Sequence, residues 1–241
     1  MDQILLDKGL VPTRSKAQAL ILAGQVKVDG LVVQKVGQLV PPLKSVELIA
    51  PQKYVSRGGI KLEGALQDFE ISPQGIVCLD VGASTGGFTD CLLQHGATLV
   101  YAVDVGRAQI DDALKKDSRV KSMEERHILD LRPDELDPKP RLAVIDVSFI
   151  SLKRILEHVA NLLQKPAVIL AMVKPQFEVG PQKLKKGVVR SDADQKEAVD
   201  QIIRFAQEKG MEVVGTSPSK LKGPKGNQEY FLFLKINQTT F

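Results

Sequence analysis

One short stretch of the chain restricts the fold more than any other, because it joins an apolar run to a glycine-rich turn. Residues 76–79 are apolar, Asp80 ends the run, and the turn that follows holds Gly82, Gly86 and Gly87. This order predicts a buried strand, a ligand-binding loop and then a helix. Glycine suits such a loop because the backbone takes unusual angles there and because a ligand approaches the main chain closely only where no side chain projects. A helix that begins at the loop points its backbone N–H groups at the ligand.

The glycine spacing argues against a dinucleotide cofactor. A G-x-G-x-x-G fingerprint would place glycines where Ser84 and Thr85 stand. A helix is predicted over residues 86–94, and a second apolar strand, 99–103, ends on Asp104, close to the ~20-residue offset at which an acid binds a ribose diol. Together these features predict an adenosine-binding Rossmann-like half, with S-adenosylmethionine as the favoured ligand. A plain α/β loop with a surface aspartate is the alternative.

Composition narrows the cellular setting. No apolar run reaches the length of a membrane span, and the first residues do not resemble a signal peptide, so we expect a cytoplasmic protein. Cys78 falls in the first predicted strand and Cys91 in the helix after the glycine turn. Both are expected to pack as small hydrophobes rather than to form a disulfide or bind metal.

Basic residues are concentrated near the N-terminus. Residues 1–60 hold eight Lys or Arg against four acids, whereas the remainder balances at 25 against 25. Such an asymmetry is typical of a module that docks on nucleic acid, and a solvated basic face is the alternative. The candidate RNA-binding residues are Arg14, Lys16, Lys27, Lys35 and Arg57.

The same region carries a recognisable order of elements. Two helices are predicted over residues 4–9 and 13–24, and a hairpin over residues 25–33 turns at an Asp-Gly pair. Two helices followed by this hairpin resemble the S4 RNA-binding domain over about residues 1–48. The resemblance implies contact with structured RNA and specifies no reaction.

The domain organisation follows from the prolines that come next. A linker is predicted near residues 49–53, where Pro51 lies. We expect an S4 domain over 1–48, a linker and glycine hinge over 49–58, and a catalytic domain over 59–241.

The remaining pattern predicts an α/β catalytic domain. A helix over residues 61–69 is expected to carry Lys61 in its first turn, where a cation opposes the helix dipole and a functional role gains weight. Seven strands alternate with helices, and the last two lie close together in sequence. This predicts a seven-stranded methyltransferase sheet with an antiparallel edge hairpin. The further strands begin at residues 120, 142, 167, 212 and 230.

Four charged residues stand at predicted functional edges of this sheet: Lys61, Asp146, Lys174 and Glu229. The chain shows no His, Cys or Ser arrangement for nucleophilic catalysis and no ligand cluster at metal spacing, so a network of charges is what the site offers. Two polar loops, 180–190 and 218–228, are predicted beside it.

The whole chain resembles the TlyA family, in which an S4 domain precedes an FtsJ-like RNA ribose 2'-O-methyltransferase domain and whose members are also labelled hemolysins. Six motifs in the family's order carry the resemblance: SKAQAL (15–20), YVSRGG (54–59), DVGASTGGFT (80–89), DVSFISL (146–152), VKPQFEVG (173–180) and GNQEYF (226–231). One departure is residues 126–129, where family members often carry a Thr-Asn pair.

This resemblance implies roles for individual residues. The family's Lys-Asp-Lys-Glu tetrad falls on Lys61, Asp146, Lys174 and Glu229. Lys174 is expected to orient and help deprotonate a ribose 2'-hydroxyl for attack on the sulfonium methyl. The cofactor-binding residues are expected to be Asp80, Gly82, Ala83, Ser84, Thr85, Gly86, Gly87, Phe88, Asp104, Asp130 and Asp146.

The same resemblance implies a cytidine in ribosomal RNA as the target. The proposed nucleophile exists only on ribose, which favours RNA over DNA. Longer family members act on both ribosomal subunits and shorter ones on the large subunit, so a chain of this length is expected to modify 23S rRNA, with 16S rRNA as the alternative. The oligomeric state is left open.

Three other functions compete with this interpretation. A methyltransferase that acts on an exocyclic amine of a base usually carries Asn/Asp-Pro-Pro-aromatic after the fourth strand, whereas this chain has Asp-Val-Ser-Phe at residues 146–149 and lacks both prolines. A cytolysin would fit the hemolysin label, although the sequence offers no amphipathic repeat or membrane span. A non-catalytic RNA-binding assembly protein would not need the tetrad.

Overall fold

The structure is a computed structural model that describes residues 1–22, 24–41, 44–48 and 53–238. The chain divides into two compact units, Met1–Gln52 and Lys53–Phe241, and each is described by itself. Residues 49–52 of the predicted linker lie outside the described residues.

The N-terminal unit contains two helices and a small sheet. Its elements are α1 (Asp2–Asp7), α2 (Arg14–Leu22), β1 (Val26–Val28), β2 (Leu31–Val32) and β3 (Val46–Leu48). The predicted hairpin is confirmed: β1 and β2 pair antiparallel, and Asp29 and Gly30 both take positive φ angles, of 49° and 79°. Such a turn matches the twist of the strands. The pairing of β3 with β1 was not predicted.

The C-terminal unit alternates strands and helices. In chain order these are α3 (Arg57–Asp68), β4 (Val77–Val81), α4 (Gly87–Gln94), β5 (Leu99–Val103), α5 (Asp112–Lys116), β6 (Val120–Met123), β7 (Leu142–Ile145), α6 (Leu156–Leu162), β8 (Ala167–Val173), α7 (Pro175–Glu178), α8 (Asp192–Glu208), β9 (Glu212–Pro218) and β10 (Tyr230–Ile236). Short 3₁₀ turns lie at Ile128–Asp130, Pro133–Glu135, Leu152–Arg154 and Pro181–Lys183.

The strands form one seven-stranded sheet in the order β6-β5-β4-β7-β8-β10-β9. The first five are parallel, while β10 runs antiparallel to both β8 and β9. The predicted fold class is therefore confirmed. Strand order reverses between β4 and β7, and open α/β sheets place their ligand sites outside the carboxyl ends of the strands at such a point.

Apolar layers cover both faces of this sheet. One layer includes Leu62 of α3, Leu92 of α4 and Phe231 of β10, and the other includes Val159 of α6 and Ile202 of α8. Strands β7 and β8 are nearly continuous apolar runs because both of their faces are buried, as expected for central parallel strands.

The prediction for the start of α3 was wrong. The helix begins at Arg57 rather than Lys61, so Lys61 lies in its second turn and the dipole argument does not apply. The two glycines that suggested a hinge lie inside the helix. A Cβ on Gly59 would come within 2.2 Å of Tyr54 Cγ. This glycine is therefore required by the close approach of Tyr54.

Candidate functional site

A cavity of about 550 Å³ opens at the carboxyl ends of β4, β5 and β7. Of the predicted cofactor residues, it is lined by Gly82, Ser84, Asp104 and Asp146. Its volume falls within the ~300–1,000 Å³ typical of small-ligand sites. The ends of three strands at which the sequence predicted functional residues therefore meet at one cavity.

The glycine turn forms the floor of this cavity. Gly82 takes a φ of 85°, and a Cβ there would lie 2.6 Å from the backbone oxygen of Asp146. The backbone N–H groups of Gly82 and Ala83 both donate to Val103 O, at 2.9 and 3.2 Å. Glycine is needed because the loop passes directly against the end of β7 while it is tied to the end of β5.

Asp104 connects two loops at the cavity wall. Its Oδ2 accepts a hydrogen bond from Ser84 N at 2.8 Å and its Oδ1 accepts one from Gly106 N at 2.7 Å. The carboxylate is only partly buried and faces the cavity. Each carboxylate oxygen can accept a further hydrogen bond, so this residue can still bind a diol.

The second half of the glycine motif has a packing role. Gly86 caps α4 with a φ of 92°, and a Cβ on Gly87 would come within 2.1 Å of Ser56 Oγ, at the approach to α3. Phe88 is buried and stacks on Phe231, with ring centroids 6.0 Å apart. The cavity lining does not include these three residues, nor the predicted Asp80, Ala83, Thr85 and Asp130.

Asp130, which was predicted to bind the cofactor, does not line the cavity, but residues that precede it do. Asp130 is exposed, at the end of a 3₁₀ turn. Arg126, His127 and Ile128 line the cavity instead. The cofactor roles assigned to the glycine motif as a whole and to Asp130 thus remain predictions.

Asp80 is completely buried behind the glycine turn. Its Oδ2 accepts a 2.6 Å hydrogen bond from Thr89 Oγ1, while Oδ1 has no hydrogen-bond partner in the part of the chain that the structure describes. Burial, reinforced by the nearby carboxylates of Asp146 and Asp104, raises the pKa of Asp80 to about 7. A carboxyl group with this pKa is partly uncharged at neutral pH, which fits a structural position under the loop.

Lys174 and Asp146 form an ion pair at the ends of β8 and β7. Lys174 Nζ lies 2.6 Å from Asp146 Oδ1 and donates a 3.0 Å hydrogen bond to Ser148 Oγ. The lysine is 9% exposed. An ammonium group has three donors and the hydrogen bond to Ser148 uses one of them, while Asp146 Oδ1 accepts no hydrogen bond from the described residues, so a donor stays available to a substrate oxygen.

Lys61 and Glu229 form the second ion pair of the site. Lys61 Nζ lies 2.5 Å from Glu229 Oε2 and 4.0 Å from the sulfur of Met172. The two residues are 8% and 1% exposed, respectively. A Cβ on Gly223 would come within 2.5 Å of Glu229 Oε1, so that glycine leaves room for the carboxylate.

A second cavity, of about 250 Å³, adjoins the first. Lys174 and Glu229 line it, and Ser148 and Phe149 belong to the walls of both cavities. Asp146 lines the first cavity only. The structure therefore brings the four predicted catalytic residues together as two ion pairs, with one member of each pair facing the second cavity.

Sequence reasoning did not assign roles to several residues at this junction. Ser148 bonds Lys174, and Phe149, which is 90% exposed at a φ of 64°, packs on Phe177 at 5.1 Å between ring centroids. Glu178 accepts hydrogen bonds from Ser151 Oγ and Leu152 N. Their only signal was their place in the family motifs.

The predicted RNA-binding residues divide between the two units. Lys16 and Lys35 are exposed and Lys27 is half-buried in the N-terminal unit, where Arg14 pairs with the buried Asp2 at 2.7 Å. Arg57 belongs to the C-terminal unit, is exposed, and donates to Lys222 O at 3.1 Å.

The described residues lack two kinds of feature. They contain no group of three or more His, Cys, Asp or Glu side chains placed to hold a metal ion. Nor do they contain a helix with the length and apolar character needed to cross a membrane.

Comparison with known proteins gives matches along the whole chain. A family model described as FtsJ-like methyltransferase matches residues 54–236, and an S4 domain model matches residues 1–42.

Individual relatives match over nearly their full length. The chain is 41% identical to the Mycobacterium tuberculosis 16S/23S rRNA (cytidine-2'-O)-methyltransferase TlyA, over 98% of this chain and 89% of the relative. It is 40% identical to Hemolysin A of Brachyspira hyodysenteriae, over 95% and 97% respectively. A solved structure of a candidate hemolysin from Streptococcus thermophilus covers 98% of this chain and 88% of its own, at 38% identity and a TM-score of 0.77.

Proposed function

We propose that this chain, which belongs to the TlyA family of S4-domain, FtsJ-like methyltransferases, transfers a methyl group from S-adenosylmethionine to the 2'-hydroxyl of a cytidine in ribosomal RNA. One observation carries the proposal. The ion pairs Lys174–Asp146 and Lys61–Glu229 lie where a cavity at the strand ends adjoins a second, smaller cavity. A methyl donor in the first cavity and a ribose in the second would meet at Lys174.

The residues of the larger cavity fit S-adenosylmethionine. Gly82 lines the cavity without a side chain, and the partly buried Asp104 carboxylate retains acceptors for the ribose diol. When bound, the cofactor supplies a methyl group on a positively charged sulfur. Asp146, at the cavity wall, adds a negative charge that favours the cation there.

Lys174 is assigned to the acceptor hydroxyl. With one of its three donors directed to Ser148 and the Asp146 carboxylate beside it, Lys174 has a further donor that can hold the 2'-oxygen in line with the methyl group. Positioning of this kind contributes ~7–11 kcal/mol in well-oriented pairs of reactants. Transfer releases the hydroxyl proton, which Lys174 can take up as it passes one of its own protons to the Asp146 carboxylate.

The smaller cavity, which would hold the acceptor ribose, is called the acceptor cavity below. Lys61 and Glu229 are assigned to the wall of this cavity opposite Lys174. Glu229 faces that cavity, and Lys61 behind it balances its charge. A carboxylate held in this way can accept a hydrogen bond from a ribose or base without rearranging. We accordingly propose catalysis within residues 59–241 and RNA capture within residues 1–48.

The N-terminal unit would supply affinity rather than chemistry. We assign Lys16, Lys27 and Lys35, with Arg14, to contacts with RNA phosphates, which give affinity without reading sequence. A ribosomal RNA substrate would place the enzyme in the cytoplasm. The relative from Mycobacterium tuberculosis is named for both 16S and 23S rRNA, and 23S rRNA stays our prediction for this chain.

Methyl transfer to isolated subunits tests the proposal. The protein is incubated with methyl-labelled S-adenosylmethionine and with separate 30S and 50S subunits from a strain that lacks the enzyme, and the RNA is digested with alkali. Ribose methylation blocks cleavage at its own phosphate, so we expect label in alkali-resistant dinucleotides from 50S subunits. Lys174→Ala should abolish the label, and Lys196→Ala, at an exposed position of α8, should not.

Other outcomes would contradict parts of this proposal. Label in mononucleotides would mean base methylation, and label from 30S particles alone would overturn the 23S prediction. Full activity of Lys174→Ala would remove that residue from the mechanism. The relative named Hemolysin A suggests lysis as a second candidate function; lysis of red cells by the pure protein, unchanged in Lys174→Ala, would support it.

A further inference from the structure

Two loops beside the acceptor cavity carry an excess of positive charge. One joins α7 to α8 (residues 179–191) and the other joins β9 to β10 (residues 219–229). Together they hold seven Lys or Arg and one acid, Glu229, which is already paired with Lys61. Five of the cations are exposed and form no ion pair within the described residues: Lys185, Lys186, Arg190, Lys222 and Lys225.

A buried asparagine joins the two loops. Asn227 is 3% exposed; its Oδ1 accepts a hydrogen bond from Val189 N at 3.0 Å, and its Nδ2 donates to Gly187 O at 3.0 Å. Its backbone oxygen accepts a third bond, from Gly223 N at 2.9 Å. The Asn227 side chain thus makes the hydrogen bonds between the two loops that paired backbones would make in a sheet.

The joined loops form one wall of the smaller cavity. Leu184 and Gly187 come from the first loop, and Gly223, Pro224 and Lys225 from the second, opposite Lys174. Because Asn227 precedes Glu229 by two residues, its bonds also fix where the second loop enters β10. The hydrogen bonds of Asn227 therefore fix both the loops that carry the cations and the wall of the acceptor cavity.

The tip of the first loop is shaped to project a lysine. Lys185 and Val188 exchange both backbone hydrogen bonds, at 2.9 and 3.1 Å, and the two residues between them take positive φ angles. Lys186 has a φ of 54° at a position that usually holds Asn, Asp or Gly. A Cβ on Gly187 would lie 3.4 Å from Lys225 Nζ, so cations of both loops meet at this tip.

We propose that Asn227 is a positioning residue that holds these two loops together as one basic surface, and that this surface binds the RNA phosphates next to the target ribose. The inference rests on the proposed function, in that the bound polyanion is RNA. Exposed cations that are not paired with acids fit a phosphodiester backbone, and a surface fixed to the acceptor cavity would set the distance from phosphate to reacting hydroxyl.

The test compares Asn227→Ala, Lys186→Ala and the double variant with the Lys196→Ala control. Equilibrium binding to transcribed 23S rRNA is measured at several salt concentrations, together with binding of S-adenosylmethionine and the kcat and KM of methylation. Loss of one phosphate contact lowers the salt slope by ~0.7–0.9, so we expect Lys186→Ala to weaken RNA binding roughly three- to tenfold. Asn227→Ala should weaken it at least as much and raise KM for RNA more than it lowers kcat.

The double variant shows whether the effects of Asn227→Ala and Lys186→Ala on RNA binding are coupled, and this result decides the proposal. If Asn227 holds the loop, Lys186→Ala has little further effect on RNA binding in the Asn227→Ala background. Simple additivity of the two changes, or an unchanged salt slope in Lys186→Ala, would overturn the proposal. Because Lys186 is exposed, its variant tests the surface even if Asn227→Ala fails to fold. RNA binding is measured without catalysis, so absence of methylation by the native chain would refute the proposed function alone.

Discussion

Lys61 Nζ and Glu229 Oε2 lie 2.5 Å apart in a pair that solvent hardly reaches, although 168 residues separate the two in sequence. The pair links α3 to the start of β10 at the acceptor cavity. Removing both charges from water is costly, and their attraction offsets that cost only while both are present. A buried pair at a cavity wall is thus better explained by function than by stability.

Replacing one or both partners separates these two contributions. Lys61→Met leaves a buried carboxylate without its cation, and we expect the free energy of unfolding to fall by roughly 3–5 kcal/mol. Lys61→Met combined with Glu229→Met should regain most of that loss while methyl transfer stays absent. Denaturant unfolding and the subunit assay measure the two effects. A double variant as unstable as the single one would contradict this account.

Two adjacent glycines of α3 should respond differently to the same change. A Cβ on Gly59 would overlap Tyr54, which is 2% exposed, whereas a Cβ on Gly58 would meet Phe88 at an ordinary 3.4 Å. We expect Gly59→Ala to lower the free energy of unfolding by about 1–3 kcal/mol because the buried ring must move. Gly58→Ala is the matched control and should be neutral or stabilising by at most ~1 kcal/mol. Equal denaturation midpoints for the two variants would contradict the packing seen here.

The buried carboxyl of Asp80 should make stability depend on pH. Burial raises its pKa to about 7, so between pH ~4 and ~7 the folded chain binds a proton that the unfolded chain releases. This contribution to stability is present at low pH and is lost as pH rises through 7. A pKa change of one corresponds to ~1.4 kcal/mol, and Asp80→Asn should therefore remove up to about 4 kcal/mol of pH-dependent stability. Urea unfolding of both proteins at pH 5 and pH 8 measures the difference, and parallel pH profiles would refute it.

The sequence predicts the fold well because its strongest signals are local. Apolar runs that end on Asp80, Asp104 and Asp146 mark buried parallel strands, and the Asp29-Gly30 turn marks a hairpin. Strand β3 was missed because three residues, half-buried or exposed, give no clear alternation. The start of α3 was misplaced because glycines usually interrupt helices. The buried ring of Tyr54 explains why Gly59 is required here, and no sequence pattern indicates that contact.

The site was predictable to the extent that strand ends determine it. Lys174 and Asp146 had to meet because β7 and β8 are neighbours in a parallel sheet. Which glycines face a ligand could not be read from spacing, since Gly82 lines the cavity whereas Gly87 packs at the approach to α3. Contacts between loops, such as that of Asn227 with Val189, leave no periodic signal at all.

Glu178 shows how such a loop contact can serve the site. It is mostly buried at the end of α7, and its carboxylate accepts bonds from Ser151 Oγ at 2.6 Å and Leu152 N at 2.9 Å. Burial raises the pKa of Glu178, opposed by these two bonds. The contacts fasten the segment that carries Ser148 and Phe149 to the segment that follows Lys174.

Loosening this contact should impair catalysis more than binding. Glu178→Ala removes both bonds, and because misplacement of a reacting group by about 1 Å can cost ~100-fold, we expect kcat to fall roughly 10- to 100-fold. Affinity for RNA should change little, since the exposed cations are untouched. Glu178→Gln is the matched control: its amide oxygen can still accept from Leu152 N, so it should retain most of the activity. Equal loss of kcat in both variants would show that the negative charge matters rather than the hold on the loop.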